Sequence, residues 1–299
     1  MLWIINGLIY GFFTALYTLV NQRHKFNGYI LGIWRGFGIA LLFFPFMFMI
    51  PLQTSISNWL LLIFQGIMIG IYDSHLFFAS ARFGAGPTSR TMVISVLVTT
   101  LIWWIMTPDL FIVLVSDGNR FITLIMILIG FCISYWYMIA SPISKEVAEY
   151  VTPAIFALAG MSVATKEIAT MGQNVWYNIV YYLVVATFVS GIYNVIMYLI
   201  TEKCKIKELV IEIFAPEIVK VGMYIVSFSA VLIASKTMAM RLAPNPGYVV
   251  ALLLTSPIFV FYLNKYSKIP DNISVKAGFS MLFFLLLLML VINIESIAD

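Results

Sequence analysis

The sequence has very little charge for its length. Of its 299 residues, only 10% are Asp, Glu, Lys or Arg, 62% are hydrophobic, and the mean hydropathy is +1.01. A soluble domain carries roughly 25% charged residues, so this chain does not have enough charge for a water-facing surface. Lipid must therefore be its solvent, and in lipid only helices and closed barrels satisfy the backbone.

Other absences exclude whole classes of protein. Two cysteines, Cys132 in an apolar run and Cys204 in a polar loop, indicate neither a disulfide framework nor a thiolate metal site. The net charge of +4 is dispersed and leaves no basic patch for nucleic acid. Metalloprotease, nucleophile-elbow, Walker and dinucleotide motifs are missing, and the two histidines do not make a metal cluster. We therefore expect no soluble-enzyme activity, no cofactor and no metal.

Long apolar runs are what the sequence has in abundance. They last about twenty residues without strict alternation, which favours membrane-spanning helices over barrel strands. Aromatic residues at run ends, such as Trp3, Trp59 and Trp176, are typical of interfacial belts. The first run lacks a basic leader and a cleavage site, so we interpret it as a retained helix. The runs predict ten spans: residues 1–20, 29–50, 59–81, 87–106, 120–140, 153–171, 175–201, 216–240, 246–264 and 274–294.

One short pattern occurs twice. ARFGAGP at residues 81–87 lies between predicted spans three and four, and MRLAPNP at residues 240–246 lies between spans eight and nine. Each has a basic, an apolar and a small residue, two variable ones, and a proline that suits the first turn of a helix. The interval between the two copies of the pattern aligns the first five predicted spans with the last five. Because each half has an odd number of spans, the second half enters the membrane from the opposite face. We predict an all-α integral membrane fold of ten helices in two inverted five-helix repeats, residues 1–146 and 147–299.

Glycines four residues apart recur in the first three spans. Such spacing lets helix backbones approach closely, which is how helices associate in lipid. We interpret the spacing as packing within one bundle rather than as an oligomer interface, and we expect a monomer or a homodimer. The glycines concerned are Gly7, Gly11, Gly28, Gly32, Gly36, Gly66 and Gly70.

Several of these segments together resemble a known family. The first span closes on a basic residue in VNQR (residues 20–23), and span two has an early arginine, Arg35. FFASARFGAGP (77–87), AMRLAPNPG (239–247) and LTSP (254–257) follow. The chain resembles the ten-helix EamA-like members of the drug/metabolite transporter superfamily. That family has an acidic residue between spans four and five, which TPDL (107–110) matches imperfectly.

Charges inside spans are functional candidates because lipid makes them costly. At 1.5 Å per residue, Arg35 lies about 9 Å below one face, Asp73 about 12 Å and His75 about 9 Å below the same face. Residues 73 and 75 diverge by about 200° around their helix, so we predict that Asp73 pairs with Arg35 and His75 faces elsewhere. The pair has two open interpretations, a substrate-anion or proton-coupling site and a structural ion pair.

The other charges near span ends receive a plainer interpretation. We call residues 81–87 and 240–246 the first and the second proline junction. Arg82 and Arg90 lie at or beside the first junction, and Lys236 and Arg241 lie near the end of span eight. All four are expected to reach the membrane surface. Lys166 and Glu167 are placed at the end of span six. Prolines such as Pro246 and Pro257 interrupt helices and expose backbone groups to a cavity. Polar candidates for lining that cavity are Tyr72, Asn194, Tyr248, Thr255 and Ser256.

The resemblance implies alternating access at a cavity between the halves. We expect a secondary transporter, in a bacterial inner membrane, that exports a small polar or amphipathic metabolite, amino-acid-like or related, with proton coupling. Its expected partners are that substrate and the lipid bilayer, not nucleic acid. Alternatives are an intramembrane enzyme, for which Asp73 and His75 come closest to a dyad, and a passive channel or lipid scramblase. Loop lysines and arginines predict both termini outside, whereas the family resemblance, which we follow, predicts both inside.

Overall fold

The computed structural model describes residues 2–52, 55–139, 142–172, 174–203, 205–243, 245–253 and 255–269, with a few helical positions between 280 and 287. Within this part, nine helices are long and apolar enough to cross a membrane, so the chain is an integral membrane protein. They confirm the first nine predicted spans, and we number them in order. Spans 1 to 9 are Leu2–His24, Gly28–Met49, Ile56–Phe83, Ala85–Met106, Gly118–Tyr137, Lys145–Thr170, Val175–Glu202, Pro216–Leu242 and Pro246–Tyr266.

Two expectations fall mostly or wholly outside these residues. The tenth predicted span, residues 274–294, is described only at the few positions just mentioned. One of these, Ser280, forms a hydrogen bond of 2.8 Å with Ser134 of span 5, hydroxyl to hydroxyl. Cys204, predicted to be unpaired, is not among the described residues, whereas Cys132 is free and exposed.

Four spans change their helical geometry along their length. By contrast, span 5 belongs to the unbroken helix Gly118–Ile139 and span 6 to the unbroken helix Pro142–Thr170. The short helix Pro108–Ser116 lies between spans 4 and 5, and the short helix Ile206–Ile213 lies between spans 7 and 8. The interrupted spans run as follows: span 2, Gly28–Phe43 then the 3₁₀ segment Phe44–Met49; span 4, Ala85–Thr91, the 3₁₀ turn Met92–Ile94, then Ser95–Met106; span 7, Val175–Tyr181, the π-helical turn Tyr182–Ala186, then Thr187–Glu202; span 9, Pro246–Leu253 then Ser256–Tyr266.

Glycines mark the closest approaches between helices. A Cβ atom added to Gly36 of span 2 would lie 2.5 Å from the Cα of Gly191 in span 7. One added to Gly66 of span 3 would lie 2.5 Å from the carbonyl oxygen of Ala186, also in span 7. Real side chains do not come so close, so these backbones touch only because both residues are glycine. The predicted role of the glycine spacing in packing within the bundle is confirmed.

The core lies where the first five spans meet the four that follow. Span 3 packs against span 6, and span 1 packs against span 8. Spans 2 and 7 pack on each other; span 2 also contacts span 8, and span 7 also contacts span 3. Spans 4 and 9 pack on each other, while span 4 contacts span 6 and span 9 contacts span 1. Most of the large contacts therefore join one half of the chain to the other.

Polar side chains at the end of span 1 hold the first proline junction. The Asn21 side-chain amide donates to the carbonyl of Phe77 at 2.9 Å, and the Gln22 side-chain oxygen accepts from the backbone N–H of Ala85 at 2.6 Å. Between spans 3 and 4 the chain turns at Gly84, whose φ of +90° is a conformation that L side chains rarely adopt. The junction thus has its backbone groups satisfied within the bundle.

The second junction is held in a related way by span 6. Lys166 Nζ donates to the carbonyls of Met240 at 2.9 Å and Ala243 at 2.5 Å, so this lysine caps the end of span 8. In return, Arg241 donates to the carbonyl of Ala169 near the end of span 6 at 2.9 Å. The placement of Lys166 near the end of span 6 is confirmed. Arg241, predicted to reach the membrane surface, lies half-exposed in the last turn of span 8.

Candidate functional site

The centre of the bundle contains the ion pair that the sequence predicts. Arg35 of span 2 is 2% exposed and Asp73 of span 3 is 0% exposed. The Arg35 guanidinium donates to the Asp73 carboxylate, and its carbon lies 5.2 Å from the centroid of the Tyr17 ring. The predicted pairing is confirmed. Each charge offsets much of the cost of burying the other.

Local sequence explains why these two side chains meet. Gly28 and Arg35 are seven residues apart, two helical turns, and therefore lie on the same face of span 2. A Cβ atom on Gly28 would be 3.0 Å from the carbonyl oxygen of Ser74, so the glycine brings span 2 directly against span 3. That close approach turns the face carrying Arg35 toward the turn of span 3 that carries Asp73.

His75 lies apart from the ion pair, as the angular argument predicts. Its Nδ1 is 2.9 Å from the carbonyl oxygen of Ile71, and its ring centroid is 6.0 Å from that of Tyr150. The imidazole borders a surface cleft of about 240 Å³, which Tyr29 and the exposed Glu202 also line. Asp73 faces Arg35 and His75 faces this cleft, so the two do not form the dyad on which the enzyme alternative depends.

Two of the polar candidates line one small cavity. Tyr72 of span 3 and Ser256 of span 9 border a space of about 10 Å³, together with Thr14 of span 1 and Ser89 of span 4. A volume of this size holds about one water molecule. The Ser256 hydroxyl has no hydrogen-bond partner among the described residues. The structure thus brings together polar groups from both halves, which the sequence alone did not pair.

The other three polar candidates stabilise helices. Asn194 and Thr255 donate to backbone carbonyls of their own spans, four and three residues earlier, at 2.8 Å and 2.7 Å. The ring of Tyr248 packs 6.3 Å from that of Trp3. Asn194 also lies against span 2, where a Cβ atom added to Gly32 would be 2.5 Å from its side chain.

The two arginines of the first junction occupy different environments. Arg82 is exposed and forms an ion pair of 2.5 Å with Glu146, which agrees with the predicted position at the surface. Arg90 is 4% exposed and lies inside the bundle. The prediction that Arg90 reaches the membrane surface is wrong, because the helix that begins after the junction turns this residue inward.

Lys236 is the residue whose importance the sequence reasoning missed. It was expected to reach the membrane surface from the end of span 8, but it is 1% exposed and is one of the largest fully buried side chains. Its Nζ lies 5.8 Å from the centroid of the Tyr10 ring. Lys236 also interacts electrostatically with both Arg35 and Asp73. The central site therefore contains charges from both halves of the chain.

The spacing along span 8 contains the signal that identifies this lysine. Gly222, Ser229 and Lys236 are seven residues apart, so they share one face of the helix. All three are buried. A lysine that continues a stripe of small residues faces the bundle, and this pattern was available without the structure.

No protein-family model matches the chain. No curated protein is significantly similar to it either. The packing of the two halves and the charges between them are therefore the features from which a function can be inferred.

Proposed function

We propose that this chain is a secondary transporter that moves a small polar or amphipathic metabolite by alternating access. The observation that carries the proposal is the exchange of contacts between the halves. If spans 1 to 5 are equivalent to spans 6 to 10, each contact should have a counterpart made by the equivalent spans. The contact between spans 1 and 8 has its counterpart in the contact between spans 6 and 3. Likewise, the contact between spans 2 and 8 has its counterpart in that between spans 7 and 3, and the contact between spans 4 and 6 in that between spans 9 and 1. An inverted repeat requires this exchange.

Two further correspondences support the inverted repeat. Span 4 contains a 3₁₀ turn at Met92–Ile94, and span 9 contains a turn at Thr255, so each irregularity follows its junction proline within about three helical turns. Each junction is also bonded by polar side chains near the end of the first span of its own half. Irregular helices at the interface of the repeats are typical of transporter binding sites.

The buried charges support a transport role because they lie between the halves. Ionisable groups within spans mark substrate or proton routes by default. The enzyme alternative is less well supported, because Asp73 and His75 face different surroundings. A passive channel is also less well supported, because Arg35 and Lys236 are covered by packed side chains in the described core and border no open path.

We further propose that the chain belongs with the EamA-like transporters and lies in a bacterial inner membrane with both termini inside. The quoted motifs support the family, and the family supports the orientation. A reporter fused to the C-terminus, active only on one side of the membrane, tests the orientation directly. Activity of an external reporter would favour the orientation that the loop charges predict instead.

Transport itself is tested with purified protein in lipid vesicles. Uptake of a metabolite mixture, analysed by mass spectrometry, should reveal a solute whose flux saturates with concentration. Flux that stays linear over the whole accessible range would indicate a channel. Dissipating a pH gradient with an ionophore should slow uptake if protons are coupled.

The ion pair is tested in the same vesicles. The double variant Arg35→Gln with Asp73→Asn removes both charges together and should fold yet fail to transport. A folded double variant with wild-type flux would show that the pair serves structure alone.

A further inference from the structure

Lys236 places a buried amine where the described residues offer no hydrogen-bond acceptor. Its Nζ meets no hydrogen-bond acceptor among the residues that the structure describes, and it lies over the face of the Tyr10 ring. Attraction to an aromatic face is weaker than a hydrogen bond to an anion in a desolvated site. An ammonium in this position is costly unless a negatively charged group joins it.

The other buried cations at the centre and at the second junction have acceptors. Arg35 is paired with Asp73, and Lys166 binds the carbonyls of Met240 and Ala243. Lys236 and Arg35 face the rings of Tyr10 and Tyr17, which lie seven residues apart on one face of span 1, so Asp73 is the carboxylate that the two basic groups share. With Lys236 protonated, the described groups at the centre carry one positive charge in excess. A ligand with a single negative charge balances it, whereas a dianion such as a phosphomonoester reverses the imbalance.

The side chains around Lys236 indicate what the rest of such an anionic ligand consists of. Tyr10, Tyr17, Tyr72 and Tyr182 are all buried; the Tyr10 ring faces Lys236 and the Tyr17 ring faces Arg35. Tyrosine rings offer flat apolar surface together with a hydroxyl. They suit a small organic group better than a hydrated inorganic ion. The cavity beside Tyr72, of about 10 Å³, is too small for such a molecule, so spans must separate to admit it.

We propose that Lys236 binds the carboxylate of the transported substrate, which is a small organic monocarboxylate. This inference rests on the proposed transport function, since it specifies the substrate class of the same central site. In it, Arg35 and Asp73 stay paired and hold spans 2 and 3 in the alignment that transport requires, while the ammonium of Lys236 is the group that the substrate neutralises.

Binding is tested by thermal unfolding of the purified protein in detergent with two matched sets of small solutes. These are benzoate, benzamide and benzylamine, and butyrate, butyramide and butylamine, with phenyl phosphate as the dianion. A carboxylate should raise the unfolding temperature in a saturable way, and its amide, its amine and phenyl phosphate should not. No response to either carboxylate, or an equal response to the amides, overturns the proposal without any variant.

Variants identify the lysine. Lys236→Met should weaken binding of the active carboxylate by roughly tenfold or more, the loss expected for a hydrogen bond to a charged group. Lys236→Arg keeps the charge and should stay within about threefold of the wild type. If Lys236→Met does not fold, Lys236→Gln replaces it as the uncharged variant in the same binding measurement. Lys166→Met removes the other buried lysine of the second half and should leave binding unchanged. Binding that survives loss of the Lys236 charge overturns the proposal.

Vesicle uptake separates failure of this inference from failure of the transport proposal. Saturable flux of a neutral or cationic solute that persists in Lys236→Met leaves transport intact and removes the carboxylate site. Lys236-dependent binding of a carboxylate without any flux keeps the anion site and removes transport. Saturable carboxylate flux that is lost with the Lys236 charge supports both.

Discussion

The two halves of the chain bury their central charges differently. In the first half, Arg35 and Asp73 neutralise each other across neighbouring spans. In the second half, Lys166 is satisfied by backbone carbonyls, and Lys236 has no acceptor among the described residues. A charge that is already satisfied explains how helices are held together. A charge that is not satisfied points to something the protein binds, and this contrast can be tested by removing each group in turn.

The largest effect is expected from breaking the ion pair on one side. Arg35→Met leaves the Asp73 carboxylate buried without its partner, which costs about 3–5 kcal/mol of the free energy of unfolding. The measurement is a denaturant titration in mild detergent, supported by the yield of folded protein on size exclusion. The double variant Arg35→Gln with Asp73→Asn should recover much of this loss. Wild-type stability of Arg35→Met would show that the pair does not hold spans 2 and 3.

The two buried lysines of the second half should respond differently. Lys166→Met removes a charged donor from the carbonyls of Met240 and Ala243, and we expect a loss of about 1.5–3 kcal/mol in the same titration. Lys236→Met removes no hydrogen bond to a described residue, so the loss in the free energy of unfolding should be clearly smaller. Equal losses at both positions would contradict the distinction between a satisfied and an unsatisfied lysine.

Contacts between the halves should be more sensitive than helix surfaces with free space. Gly36→Ala forces a methyl group against the backbone of Gly191, and overpacking of this kind costs about 1–3 kcal/mol. Gly160→Ala is the matched control, because its nearest neighbour, Phe64, would lie 3.5 Å from the new Cβ, an ordinary contact. In a helix that change is neutral or stabilising by up to about 1 kcal/mol. Similar behaviour of the two variants in the titration would argue against tight packing of spans 2 and 7.

The smallest effect is expected at the surface. Arg82→Gln breaks an exposed ion pair with Glu146, and such pairs contribute about 0–1 kcal/mol. The difference from the wild type should shrink further when salt is added to the titration, since salt screens exposed charges. A loss as large as that of Arg35→Met would mean that this pair is buried under the conditions of the experiment.

Sequence periodicity was enough to predict nine helices, because lipid demands long apolar runs and such runs are unambiguous. The Arg35–Asp73 pair could be predicted because depth follows from helical rise and the two spans are neighbours in the sequence. Distance from a helix end does not say which face a residue occupies, so it gives the wrong environment for Lys236 and Arg90. The small cavity could not be predicted at all, since Tyr72 and Ser256 meet only through the packing of spans from different halves.

The interlocked packing also has a consequence for the order in which the protein is made. Spans 1 to 3 find most of their partners among spans 6 to 9, which the ribosome delivers later. The early helices must therefore wait in the bilayer with their glycine faces uncovered. Arg35 and Asp73 are the exception, because both are present once span 3 has been inserted, so their charges can be shielded from lipid at that stage. Lys236 arrives with span 8, when the half that it must face is already in place.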